Sequence, residues 1–322
     1  MKMVAEERET GKAEEAEEGK ADVLEKYRLA GKILAEVLEE AVERVKVGVP
    51  LLDVASFVEN KTREKGAEPA FPCNISVNEE ASHATPSADD TTAFKDGDIV
   101  KLDIGVHIDG YIADAAVTVD LSSDGRHEAL VRAAEDALNA AIAVVKAGVR
   151  TTEISEVIER TIRERGFKPI VNLTGHGLAR FNPHAPPSIP NVKQRSGEIL
   201  REGDVIAIEP FATDGAGKVV EGSRTEIYKL VRLKPVRLPA ARRLLAEIMK
   251  FKGLPFAKRW LAHPSEIALR TLEREGILRA FPVLREESHG LVSQAEHTLL
   301  VKNDGCEVLT AHSLFQRFSR IT

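Results

Sequence analysis

The sequence predicts an α+β fold made of two duplicated halves, each running helix, helix, strand, and related by an approximate two-fold. Three observations carry this: an internal repeat, a hairpin with two aspartates on one pleated face, and a second strand offering a glutamate at the matching place. KVGVPLLDVASFVENKTREKG (46–66) aligns without gaps, at an offset of 100, with KAGVRTTEISEVIERTIRERG (146–166), and seven of 21 positions are identical. Random pairing at ordinary composition would give roughly one or two. After a short gap, KDGDIVKLDIG (95–105) lies over REGDVIAIEPF (201–211), which sets Asp103 over Glu209.

Taken in order, residues 1–20 hold seven Glu and four Lys or Arg with almost nothing to bury, so residues 1–23 are assigned to a disordered acidic tail or a fraying helix. Helical apolar spacing predicts helices within 21–49 and 50–66, each closed by a glycine. Residues 98–120 read as two strands meeting near Asp109-Gly110, a hairpin-turn dipeptide. Residues 127–149 and 151–166 read as two more helices, which begins the second half.

With 322 residues, 43% of them apolar, the chain can bury a large core. No run of 18 apolar residues occurs and the N-terminus lacks a secretory pattern, so a cytoplasmic protein without a membrane span is expected. Two cysteines, Cys73 and Cys306, rule out a disulfide framework and argue against a thiolate metal site.

KLDIGVHIDGYIAD (101–114) is where chemistry enters. Centring the loop between Ile108 and Asp109 places Asp103 directly opposite Asp114. Like charges so paired repel unless a cation or proton lies between them, although a hairpin with one wet face would merely solvate them. VIAIEPF (205–211) is apolar on both faces up to Glu209, so that strand is expected to be buried and its carboxylate to need compensation. NLTGHGLARFNPHAPPSIPN (172–191) sets His176 between two glycines and His184 in a Pro-rich, irregular loop, and LVSQAEHTLLV (291–301) is a strand bearing Glu296. Four carboxylates and one imidazole suit a pair of hard-to-borderline divalent ions, such as Mn, Fe, Co or Zn.

With these residues in view, the chain resembles the type 2 methionine aminopeptidases in their archaeal form, over roughly residues 24–322. Asp103, Asp114, His176, Glu209 and Glu296 stand in the contexts LDIG, IADAA, GHG, IEPF and QAEH. The resemblance implies a pita-bread fold, a curved antiparallel sheet flanked by the paired helices, with those five residues as ligands of two divalent ions. It also implies an exopeptidase that removes the N-terminal methionine of nascent proteins, a bridging hydroxide attacking the first peptide bond. Glu209 would shuttle the proton, His184 would face the developing oxyanion, and His83, from FPCNISVNEEASHATP (71–86), would contact the departing nitrogen. Phe71, Pro72 and Pro183 would wall the methionine pocket, and Ala84 stands where the family usually has Tyr. The family leans to monomers.

The resemblance accounts as well for a charge anomaly. Residues 229–285 carry fourteen Lys or Arg against four Glu. This stretch contains the helical insert typical of type 2, assigned to 232–285, with the catalytic domain at 24–231 and 286–322. LPAARRLLAEIMKFKG, LPFAKRWLA and PSEIALRTLEREG are read there as short basic helices, either a solvated cap or a surface for docking near ribosomal RNA. A proline-specific relative would share the five ligands but carries a sizeable N-terminal domain, a metal-free binding module would have lost ligands, and a nucleic-acid-binding protein leaves the buried acids unexplained.

Overall fold

The computed structural model describes residues 2–314; the side chains of residues 2–18 and of Lys20 lie outside that description, and with them most of the expected acidic tail. Helix α1 (Lys2–Val42) is followed by α2 (Leu51–Glu64), β1 (Glu68–Pro69), β2 (Asn74–Val77), β3 (Glu80–Ser82), β4 (Ile99–Ile108) and β5 (Tyr111–Asp120). The second half repeats the order with α3 (Glu128–Ile142), α4 (Thr151–Glu164), β6 (Lys168–Pro169), β7 (Thr174–Ala179), β8 (Asn182–Pro190), β9 (Val205–Ile208) and β10 (Phe211–Thr213). Helices α2 and α4, and strands β1 and β6, are displaced by the same 100 residues as the sequence repeat.

Each half has a core under its own helices. Leu34, Val37, Leu38 and Ala41 recur on one face of α1 and pack with Val54 and Val58 of α2 against β4 and β5. In the second half Leu138, Ile154, Ile158 and Ile162 of α3 and α4 cover Ile206 and Ile208 of β9. Each large side chain so buried contributes about 1.5–3 kcal/mol. The sheets run β1-β4-β2, with β5 also on β4, and β16-β15-β9-β7-β8, where β15 (His297–Val301) and β16 (Cys306–Val308) come from the C-terminal end. The two halves meet at an antiparallel bridge between Ala116 and Glu296, each amide donating to the other's carbonyl at 3.4 and 2.9 Å.

Two expectations about local geometry need correction. The β4–β5 loop is the two residues Asp109 and Gly110, so Ile108 faces Tyr111, Asp103 faces Ala116 and Asp114 faces Gly105. Both loop residues have positive φ, 52° and 89°, as a type I′ turn demands. The expected centre would have forced β-branched Ile108 into that region. The shift is two residues, so Asp103 and Asp114 keep one face and become diagonal neighbours. That face is also dry: Lys101, Asp103 and Asp114 are all buried. His184, for its part, lies on strand β8 and not in an irregular loop. β8 pairs with β7 alone, at the edge of its sheet, which is where prolines are tolerated.

After β10 comes the long β11 (Val219–Leu230), paired with β13 (Leu278–Glu286). Helices α5 (Pro239–Ile248) and α6 (Glu266–Arg274) connect them and close a small core of Leu244, Ile248, Phe256, Leu269 and Leu272. The middle basic segment, expected as a helix, forms β12 (Pro255–Ala257) on β11 and then a 3-10 turn at Lys258–Trp260. Gly253, with φ 84°, and Pro255 break any helix there. Strand β14 (Val292–Gln294) completes the fold. Among the described residues no helix is long and apolar enough to cross a membrane. Cys73 and Cys306 are free.

Candidate metal centre

Strand alternation brings five functional groups to one place. Asp103 projects from β4, Asp114 from β5, His176 from β7, Glu209 from the end of β9, and Glu296 from the bridge between β14 and β15. All five line one cavity of about 750 Å³. His176 Nε2 stands 3.5 Å from Glu209 Oε1 and 3.9 Å from Asp114 Oδ2. One ligand atom each from Asp114, His176 and Glu296 falls within 4.8 Å of the others.

The electrostatics of this cluster are unfavourable by themselves. Burial pushes the Asp103 carboxyl up to about 7, and burial with the neighbouring acids holds Asp114, Glu209 and Glu296 well above the usual carboxylate range. Asp103 Oδ1, Asp114 Oδ1 and Glu296 Oε1 are buried without a hydrogen-bond partner, a condition folded proteins rarely leave uncompensated. Burial drives His176 down to about 4, so its ring is neutral near pH 7. His176 Nδ1 lies 3.3 Å from the Gly177 carbonyl, so the proton sits on Nδ1 and the Nε2 lone pair faces the acids. Oxygen donors with one imidazole fit hard-to-borderline divalent cations. Cys73 does not alter the donor set, because burial keeps its thiol protonated.

The glycines beside His176 have a steric cause. A Cβ on Gly175 would lie 2.5 Å from the Ala207 carbonyl oxygen of β9, and one on Gly177 would lie 2.0 Å from the Pro186 carbonyl oxygen of β8. Only backbone-width residues let β7 pass between its neighbours with the imidazole aimed at the acids.

The remaining expected site residues are distributed unevenly. His184 lies edge-on to His176, ring centroids 4.6 Å apart. His83 sits in the left-handed region with φ 61°; its Nδ1 is 3.3 Å from the Pro282 carbonyl and its ring meets Phe281 edge-on at 5.3 Å. Phe71 lines the cavity, seated over Gly105, where a Cβ would come within 2.2 Å of its ring. Pro72 and Pro183, expected in the pocket wall, are buried and lie outside the lining. Ile227 and Phe281 are apolar residues of the lining.

Sequence reading missed the supports. Gln294 Nε2 donates to Glu296 Oε2 at 3.2 Å, and the same amide works against the upward push of burial on the Asp103 carboxyl. Its place two residues before Glu296 in an alternating strand was the available signal. Lys101, fully buried, donates from Nζ to the Asn78 carbonyl at 2.7 Å and ties the segment that leads to His83 onto β4. Arg259, counted among the insert's basic residues, and Trp260 both donate to the buried carboxylate of Glu59, and Arg259 also bonds Thr85 Oγ1 and the Pro86 carbonyl.

Comparison with known proteins agrees with this geometry. The model of metallopeptidase family M24 matches residues 25–238. A protein of Archaeoglobus fulgidus named methionine aminopeptidase is 55% identical over 290 residues, 90% of this chain and 99% of its own length. A protein of the same name from Methanocaldococcus jannaschii is 50% identical over 89% of this chain and 98% of its own length. The crystal structure of methionine aminopeptidase from Thermotoga maritima superposes with a TM-score of 0.68 at 27% identity, covering 90% of this chain and 96% of that one. An acid-and-imidazole cluster on a duplicated sheet, a family match over most of the chain and relatives of nearly equal length converge: the chain belongs to metallopeptidase family M24.

Proposed function

We propose that this protein is a methionyl aminopeptidase that hydrolyses the first peptide bond of chains beginning with methionine. The observation that carries the reading is the cluster of Asp103, Asp114, His176, Glu209 and Glu296 lining one cavity, with three buried acceptor oxygens among them lacking partners. Those five side chains would hold two divalent ions, of which Mn, Fe, Co and Zn suit the donors. Bound there, such ions supply Lewis acidity and lower the pKa of water toward neutrality.

The protein's own groups do the rest. Glu209, partly open to the cavity and beside His176, takes the proton from water and returns it to the leaving amine. His184, lining the cavity beside His176, donates to the carbonyl oxygen as charge develops on it. His83 is oriented by the Pro282 carbonyl and the Phe281 ring and faces the departing nitrogen. Phe71, with Ile227 and Phe281, offers an apolar wall for an unbranched thioether side chain.

The test is release of methionine from Met-Ala-Ser on adding Mn, Fe or Co to chelated protein, beside an X-Pro peptide. Metal-dependent cleavage of the first alone supports the reading; cleavage of the second alone, or of neither, overturns it. The basic insert adds a docking proposal: its Lys and Arg side chains hold the enzyme near ribosomal RNA, where new N-termini emerge. Cosedimentation with ribosomes should weaken as salt rises, and its absence at low salt would rule the docking out.

A further inference from the structure

The ribbon that carries the insert does more than join it to the catalytic domain, because one face of β11 and β13 forms a wall of the cavity. Ile227, Lys229 and Val231 of that ribbon line the cavity, as do Arg279 and Phe281, while Tyr228, Leu230, Leu278 and Ala280 turn into the insert's core. Along this wall exposure rises from floor to mouth. Ile227 and Phe281 are 3% and 9% exposed, whereas Val231 is 51% exposed.

Lys229 and Arg279 face each other directly across the ladder, the next pair on the same face outward from Ile227 and Phe281. Two cations in that relation repel, and Lys229 is half-buried as well; burial and the Arg279 charge both lower its pKa. Neither has a carboxylate within ion-pair distance among the described residues. Glu198, the only acid of the cavity lining outside the metal cluster, is not paired with either. Arg279 lies over the Phe281 ring, which also meets the His83 ring edge-on, so one aromatic side chain touches both the cation and His83. Arg279 is exposed and Lys229 half-buried, so the two like charges stand side by side on the wall with their heads open to the cavity mouth.

We propose that Lys229 and Arg279 form a subsite for acidic side chains at the third and fourth residues of the substrate, making this enzyme select for chains that carry Asp or Glu shortly after the cleaved bond. The spacing follows from strand geometry and rests on the function proposed above. Phe281 meets the ring of His83, which the proposed function sets at the scissile bond, and the cationic pair lies two residues further along the ribbon, about 7 Å. An extended peptide covers that distance in about two residues.

The test compares C-terminally amidated Met-Ala-Asp-Glu-Ser with its near-isostere Met-Ala-Asn-Gln-Ser on the metal-loaded protein. The expected result is a preference for the acidic peptide of about fivefold in kcat/KM, carried mainly by KM, with the ratio falling toward one in the Lys229→Gln/Arg279→Gln double variant. The wild-type preference should also fade in 1 M salt, a reading that needs no variant. Equal kcat/KM for the two peptides, or a preference that survives double neutralisation, overturns the subsite. A free-acid Met-Ala-Ser favoured over its amide, without any gain from side-chain acids, would assign the pair to chain ends and overturn it as well. Fluorescence anisotropy of the labelled acidic and neutral peptides, with and without divalent ion, keeps the two readings apart. Acidic peptide bound through Lys229 and Arg279 by a protein that cleaves neither peptide sinks the peptidase reading and leaves the anion subsite standing.

Discussion

Thr118 and Thr298 do the same job in opposite halves of the fold. Thr298 Oγ1 accepts from the Asp114 amide at 2.7 Å and donates to the Asp114 carbonyl at 2.8 Å. Thr118 Oγ1 accepts from the Gln294 amide at 2.8 Å and donates to the Gln294 carbonyl at 2.7 Å. The two pairs are exchanged by the pseudo-two-fold that passes through the Ala116–Glu296 bridge. Asp114 is thereby matched with Gln294, Ala116 with Glu296, and Asp103 with Glu209. The backbone is duplicated and the chemistry is not: a neutral amide stands where the other half has a carboxylate, which keeps a fifth acid out of the cluster and supplies a donor to Glu296.

Thr298→Val should therefore cost more than its small change in shape suggests. The methyl that replaces the hydroxyl leaves a buried amide and a buried carbonyl without partners, at about 1–3 kcal/mol each. Denaturant unfolding should show a loss in that range, with weaker divalent-ion uptake because Asp114 is no longer fixed. Thr298→Ser should restore most of both. A valine variant of wild-type stability would mean that the backbone finds other partners.

Protons and metal ions should compete for the same carboxylates, and pH separates them. Asp103 rises from 3.8 to about 7 in the folded, metal-free chain. Between about pH 4 and 7 the folded chain thus retains a proton that the unfolded chain has released, and stability falls as pH rises through that window. His176 and His83, lowered to about 4, act oppositely, since the unfolded chain takes up protons below about 6.5 that the folded chain refuses. Asp103→Asn isolates the first effect. With both proteins chelated, the stability of wild type relative to the variant should fall by on the order of a few kcal/mol from pH 4 to 7. Saturating divalent ion should reverse that trend. A difference flat in pH would show that Asp103 titrates near its ordinary value.

How much of this was legible in the sequence depends on the range of the interaction. The helices, the 100-residue repeat and the alternation that puts acids on one face are local patterns, and they recur in α2, α4, β4 and β9. The register of β4 on β5 turned on which two residues tolerate positive φ, a question about the turn and not about the strands. The roles of Thr298 and Thr118 were invisible because each depends on a partner more than 170 residues away. Net charge misled at Lys229, Arg279 and Arg259, for a count along the chain does not say which face of a ribbon a cation occupies.

Glu59 and Arg259 should prove the joint that fixes the insert to the catalytic domain. Their side chains are 7% and 6% exposed, and the carboxylate also accepts from Trp260 Nε1 at 2.7 Å and from the Cys73 amide at 3.3 Å. Removing one partner strands a buried charge, so Glu59→Gln should lower stability by about 3–5 kcal/mol. The paired change Glu59→Gln/Arg259→Met should recover part of that loss. Recovery of stability without recovery of turnover is the expected outcome, because Arg259 also holds the Thr85–Pro86 segment next to His83.

Gly177→Ala offers the sharpest test of how the site is assembled. The added methyl would fall 2.0 Å from the Pro186 carbonyl oxygen and 3.1 Å from that of Ala185, both backbone atoms of β8. No rotamer change relieves such a contact, so β8 must move away from β7. His184 rides on β8 and His176 on β7, and their rings are 4.6 Å apart. The variant should lose turnover by about a hundredfold, the scale expected for a displacement near 1 Å at a reacting centre. Gly305→Ala, where nothing lies within 4 Å of the new Cβ, serves as the control and should stay within about 0.5 kcal/mol of wild type. Divalent-ion uptake distinguishes the two consequences at the altered site: retained uptake with lost turnover places the damage at His184, whereas loss of both places it at His176. Full activity in Gly177→Ala would mean that the close passage of β7 between β8 and β9 is not required for the chemistry.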